Sequence, residues 1–130
     1  MRRILAIEDV KIAEAIVRLI MQGFGHEIDI LPQTDAVGAE VLFEKQIYDL
    51  VLMNVAIPSF FGLSTAICFR EIEAKRATPR IPIIGLSVHY HPKYRPVCLA
   101  AGIDEVFAKP LTKVLAQQIL TTYCPARSTR

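Results

Sequence analysis

The chain has 130 residues, of which 52% are hydrophobic and 22% charged, the size and balance of one domain around a single well-buried core. Fifteen Lys and Arg against thirteen Asp and Glu leave a formal charge of +2, too small to make nucleic acid or an anionic membrane the default partner. Charged residues such as Glu14, Arg18, Asp49 and Arg70 interrupt every apolar stretch before the roughly 20 residues of a membrane span. Glu8 and Asp9 end the opening apolar run too early for a signal-peptide core, so the expected location is cytoplasmic. Cys68, Cys98 and Cys124 are widely spaced, with no CxxC, and read as reduced packing residues.

Continuously apolar and periodically apolar segments alternate along the chain. Residues 3–7 read as a strand buried on both faces, and Val10, Ala13, Val17, Ile20, Met21 and Phe24 as the inward face of a helix ending at Gly25. A short strand over 28–31 follows, then Pro32, then a helix capped by Thr34 that runs to about Lys45 with Val37, Val41 and Leu42 inward. Residues 49–53 form the third strand, Asn54 to Phe61 a loop containing Pro58, and Gly62 opens a helix to about Lys75 that Thr78, Pro79 and Arg80 break. The fourth strand is placed at 81–86, and Pro92 and Pro96 delay the next helix to about Pro96, reaching Ala101. A fifth strand over 105–108 and a helix over 112–123 close the pattern; residues 125–130 are expected to fray.

Five strand and helix units in alternation require parallel strands, and right-handed crossovers place helices on both faces: an α/β, doubly wound (βα)5 domain. Sites in such sheets lie beyond the carboxyl ends of the strands. Those ends carry Glu8 and Asp9, then Asn54, Ser87, and Lys109 followed by Pro110. Paired carboxylates suit a hard cation such as Mg²⁺, and an ammonium beside a hydroxyl can hold the oxygens of a phosphoryl group.

ILAIEDV, DLVLMNVAIPSFFG, IIGLS and CLAAGIDEVFAKP, in that order, resemble the receiver (response regulator) domain of two-component signalling, and the last segment is similar to receivers of hybrid histidine kinases. The resemblance implies a flavodoxin-like sheet of order 2-1-3-4-5, with residues 1–124 as the receiver-like domain and 125–130 as a disordered tail. It makes Glu8, Asp9 and the carbonyl of Ala56 the magnesium ligands, Ser87 and Lys109 the phosphate-sensing groups and Phe107 the switch aromatic. It makes the bond before Pro110 cis, a geometry that X-Pro bonds reach at low cost.

The family's phosphoacceptor is an aspartate, and the matching position here holds Asn54. A carboxamide has no anionic oxygen with which to attack phosphorus, and its neutrality weakens the magnesium site. Lys109 then leans on Glu8 or Asp9. The expected function is an atypical, phosphorylation-independent receiver that is no enzyme and serves as a regulatory interaction module in a phosphorelay. The alternative is an ordinary phospho-accepting receiver whose aspartate was substituted by Asn54. Expected partners are a histidine kinase, a phosphotransfer protein or another signalling protein, or a second copy through the fourth helix, fifth strand and fifth helix.

Other features read more plainly. His89 and His91, with no third ligand nearby, are surface loop residues, and Lys75, Arg76 and Arg80 complement a helix carboxyl end. Phe60 and Phe61 cannot both be expected to bury in a polar loop, so one is read as capping the site or meeting a partner.

Overall fold

The computed structural model describes residues 2–56 and 62–124. The expectations for Pro58, Phe60, Phe61 and the 125–130 tail lie outside the described residues. Five strands, β1 (Arg3–Ile7), β2 (Glu27–Leu31), β3 (Leu50–Asn54), β4 (Ile83–Ser87) and β5 (Glu105–Ala108), alternate with five helices. These are α1 (Lys11–Gly23), α2 (Ala36–Lys45), α3 (Leu63–Arg76), α4 (Arg95–Ala100) and α5 (Lys113–Tyr123). The strands form one parallel sheet of order β2-β1-β3-β4-β5, the order the resemblance implies.

Strand periodicity divides the core in two. Leu5, Ile7, Val51, Met53 and Ile83 pack with Phe43 of α2 and Phe69 of α3, whose rings stack at 4.2 Å. Ile4, Ala6, Leu50, Leu52, Ile84 and Leu86 pack with Val17 and Met21 of α1 and with Ala116 and Ile119 of α5. Both faces of the central strands are therefore dry, which is why RILAI and LVLMN read as unbroken apolar runs instead of alternating ones. Among the described residues no helix is long and apolar enough to cross a membrane.

Several boundaries and faces differ from the sequence reading. The cap of α2 is Asp35, whose Oδ1 accepts from Gly38 N at 3.0 Å, and Thr34 is not the cap. With that start, α2 buries Ala39 and Phe43, while Val37 is 72% exposed and Val41 is exposed as well. The segment AVGAEVLF is apolar on nearly every side, so its spacing does not fix which face turns inward. The fourth strand begins at Ile83, after a proline that cannot donate to the ladder, and extends to Ser87. Asn54 ends β3 instead of opening a loop: it pairs in register with Leu86.

In α1 the inward face holds at Val17 and Met21, but Val10 is half exposed at the cap, and Ile12 and Leu19 are each 72% exposed. The apolar arc of α1 is thus wider than the core it covers. Gly25, with φ of +83°, ends the helix as expected, and His26 N reaches back to the carbonyl of Met21 at 3.0 Å. A short 3-10 turn over Pro92–Tyr94 leads into α4.

Candidate functional site

The strand order sets the carboxyl ends of β1, β3, β4 and β5 side by side, so the residues that follow them share one rim. Glu8, just past β1, is only 4% exposed. Its Oε2 accepts the backbone N–H groups of Asp9 at 2.9 Å and Val10 at 3.2 Å, and its Oε1 accepts from Lys109 Nζ. Lys109 is anchored in turn by its own N–H, which donates to the carbonyl of Ser87 at 2.8 Å, and it precedes a cis bond to Pro110. Its side chain is 12% exposed, so the ammonium and the carboxylate form a buried pair.

The neighbouring Asp9 turns the other way. It is exposed, and its Oδ1 accepts from Gln33 N at 2.6 Å, on the β2 side of β1. The side chain of Gln33, nearly buried, donates from Nε2 to the backbone carbonyl of Asn54. Gly62, at φ of +107°, closes this corner: a Cβ there would stand 2.6 Å from Gln33 Nε2 and 3.1 Å from the Asn54 carbonyl. Gln33 thus ties together the turn after β1, the end of β3 and the start of α3. Sequence reasoning missed it, although it lies past a strand end on the same rim; Pro32 drew attention only as punctuation.

Two hollows flank the rim. Asn54, Val55, Ala56, Ser87, Val88 and His89 line a cleft of about 240 Å³, so residues 54, 56 and 87 meet there. Beside it, a groove of about 330 Å³ is walled by α1 through Ile12, Ala13 and Ile16 and by Val88, Pro110 and Leu111, with Glu8 and Lys109 its charged residues. Phe107 is half-buried and packs on the core layer beneath α1 and α5.

Of the expected magnesium ligands, Glu8, Asp9 and Ala56 all stand on the rim, and carboxylate and carbonyl oxygens are donors of the kind a hard cation takes. Their charge falls short: among the described residues no group of three or more His, Cys, Asp and Glu side chains is placed to hold a metal ion, and Glu8 already serves three internal donors. The oxygens fit a divalent ion in type while the charge balance disfavours it.

The chain is similar to several characterised proteins. It is 25% identical over 151 positions to Probable histidine kinase 1 of Oryza sativa subsp. indica, an alignment that takes in 95% of this chain and 15% of the relative. This chain therefore spans about one seventh of that relative's length. Among solved structures, the receiver domain of sensor histidine kinase PA1611 from Pseudomonas aeruginosa PAO1 has magnesium coordinated in its active-site cleft. It superposes with a TM-score of 0.77 at 29% identity, covering 94% of this chain and 96% of that one. The Saccharomyces cerevisiae complex of the histidine phosphotransfer protein Ypd1 with the receiver domain of Ssk1 matches in fold at a TM-score of 0.80 and 17% identity, covering 94% and 88%. The family model described as the response regulator receiver domain matches residues 4–121, and this chain belongs to that family.

Proposed function

We infer that this chain is a receiver-type regulatory module of two-component phosphorelay signalling that works without a phosphoryl group on residue 54. The observation that carries the reading is the state of the rim. A carboxamide, Asn54, stands where the family places its acceptor aspartate, and the nearby Lys109 is already neutralised by Glu8. A carboxamide oxygen is uncharged and its nitrogen lone pair is delocalised, so neither atom attacks phosphorus as a carboxylate does. The module signals by what it binds and catalyses no turnover.

Glu8, Asp9 and the Ala56 carbonyl are the residues that would hold magnesium, which supplies a charge clamp for phosphoryl oxygens when bound. With two carboxylates in place of three, that binding is weak. Ser87 and Lys109 are the residues for the phosphate oxygens, and Phe107, which has no hydroxyl, is the aromatic through which packing changes pass.

The partner is a kinase or phosphotransfer protein of the same pathway, in the cytoplasm, as Ypd1 is to the Ssk1 receiver. The exposed apolar arc of α1 at Ile12, Ile16 and Leu19, continuous with the groove at Val88, is the surface that supports docking. A second copy joined through α4, β5 and α5 is supported by half-exposed Val97 on that face.

Intact-mass spectrometry after incubation with Mg²⁺ and acetyl phosphate tests the reading. The chain as it stands should gain no mass, and Asn54→Asp should gain one phosphoryl group if the rest of the rim is competent. Failure of both leaves a pure docking module, gain by the variant alone marks residue 54 as the sole block, and modification of the Asn54 chain overturns the proposal.

A further inference from the structure

We propose that Gln33 is a positioning residue for this rim: its side-chain amide straps the end of β3 and the start of α3 across the end of β1, and so holds that corner in one conformation with no phosphoryl group. The inference rests on the phosphate-free reading above, under which the module's own side chains must fix its state. Pairing of β1 with β3 ends at Ile7 and Met53. The next β1 N–H that could extend this ladder, that of Asp9, turns to Glu8 Oε2 at 2.9 Å. The carbonyl of Asn54 instead receives Nε2 of Gln33, which follows β2 on the other side of β1. A side chain thus supplies the rung that the backbone leaves out.

Three observations mark the contact as fitted. Gln33 is polar and follows an edge strand, yet it is only 5% exposed, and buried amides are kept where their donors are used. Its own N–H is pinned to Asp9 Oδ1 at 2.6 Å, so the stem from which the side chain leaves is fixed. Gly62, which caps α3 at φ of +107°, leaves the space the amide fills, since a Cβ there would stand 2.6 Å from Nε2. The carbonyl of that glycine accepts Thr65 N at 3.1 Å, so the amide bears on the first turn of a helix as well as on the last residue of a strand. Without Nε2 the Asn54 carbonyl loses its described donor, which favours any rearrangement that returns it to water.

The test is ¹⁵N relaxation dispersion on the full chain, without phosphodonor, for the chain as it stands, Gln33→Ala and Gln33→Glu. The Glu variant keeps the volume and turns an acceptor towards the carbonyl. Both variants should show microsecond-to-millisecond exchange at Val55, Gly62 and Leu63, with a second state populated on the order of a few per cent, where the natural chain shows none. Val106 and Ala116, distant in the fold, should stay quiet. A Glu variant as quiet as the natural chain rejects the donor role in favour of mere filling. Exchange of equal size at Val106 and Ala116 rejects it in favour of general loosening, and exchange in neither variant overturns it outright. Should neither variant fold, the natural chain decides: a slowly exchanging Gln33 side-chain N–H coupled through the hydrogen bond to the Asn54 carbonyl carbon upholds the strap, and a fast-exchanging, uncoupled amide rejects it. None of these readouts involves phosphate, so phosphorylation of the Asn54 chain would overturn the phosphate-free reading while leaving the strap itself to stand or fall on its own result.

Discussion

Arg70 of α3 meets Asp104, just before β5, with Nη2 to Oδ2 at 2.8 Å, at the end of the sheet opposite the candidate site. The same guanidinium donates to Glu73 Oε1 at 2.7 Å and to the carbonyls of Ile81 at 2.8 Å and Gly102 at 2.9 Å. Both acids are in turn fixed by backbone N–H groups, Glu73 by Ile81 and Asp104 by Ile83. Arg70→Met strands two mostly buried carboxylates and should cost about 3 kcal/mol or more in urea unfolding. Arg80 also reaches Asp104, but its side chain is 59% exposed, so Arg80→Ala should cost under about 1 kcal/mol. Equal losses for the two variants would reject this account of the network.

Ala77, which ends α3, lies in the left-handed region at φ 52° and ψ 38°. A Cβ is strained there and glycine is not. Ala77→Gly is therefore expected to stabilise the domain by about 1 kcal/mol, against the usual effect of adding a glycine. A lower urea midpoint for the variant would contradict it.

His26 accepts the N–H of Arg2 at Nδ1, 3.0 Å away. Burial first, and nearby positive charge including Arg2 second, hold its imidazole below the ordinary value of 6.5, with Asp49 opposing. The folded chain thus binds fewer protons at this group than the unfolded chain. Its contribution is intact at neutral pH and is lost as pH falls through the unfolded value. His26→Gln should lose less stability between about pH 7.5 and about pH 5.5 than the natural chain does. Parallel pH profiles for the two would show that His26 has no part in the slope.

All three thiols are held protonated. Burial pushes Cys68 and Cys124 up to about 11, with Glu40 adding to the effect at Cys68, and burial raises Cys98 too. At about pH 8 only on the order of one thiol in a thousand at Cys68 is thiolate. Iodoacetamide should therefore label the native chain far more slowly than the urea-unfolded chain, with mass spectrometry as the readout. Rapid labelling of Cys68 in the folded state would go against this.

Much of the fold was legible because its strongest signals are one-dimensional. Residues 4–7, 50–53 and 83–87 are dry on both faces, so their apolar runs stand out, and Gly25 ends its helix where it was expected to. What failed was phase. In α2 apolar residues surround the axis, and only the packing of Phe43 on Phe69 decides which side is in. The rim residues Glu8, Asn54, Ser87 and Lys109 were legible from strand ends alone. Gln33 was not, because a neutral amide after an edge strand carries no motif, and its role comes from a contact 21 residues away in sequence. The parting of Glu8 from Asp9 was equally invisible, since adjacent residues give no hint that their side chains take partners on opposite sides of β1.

Glu8 and Lys109 lie 101 positions apart in sequence. A chain made from its amino terminus displays the acid in the first loop and holds its cation back until the last strand has been added. A form that stops short of residue 109 lacks both the cation that neutralises Glu8 and the Pro110 and Leu111 that line the same groove. The pair thus joins the first loop to the end of the last strand, so that its closure requires nearly the whole chain.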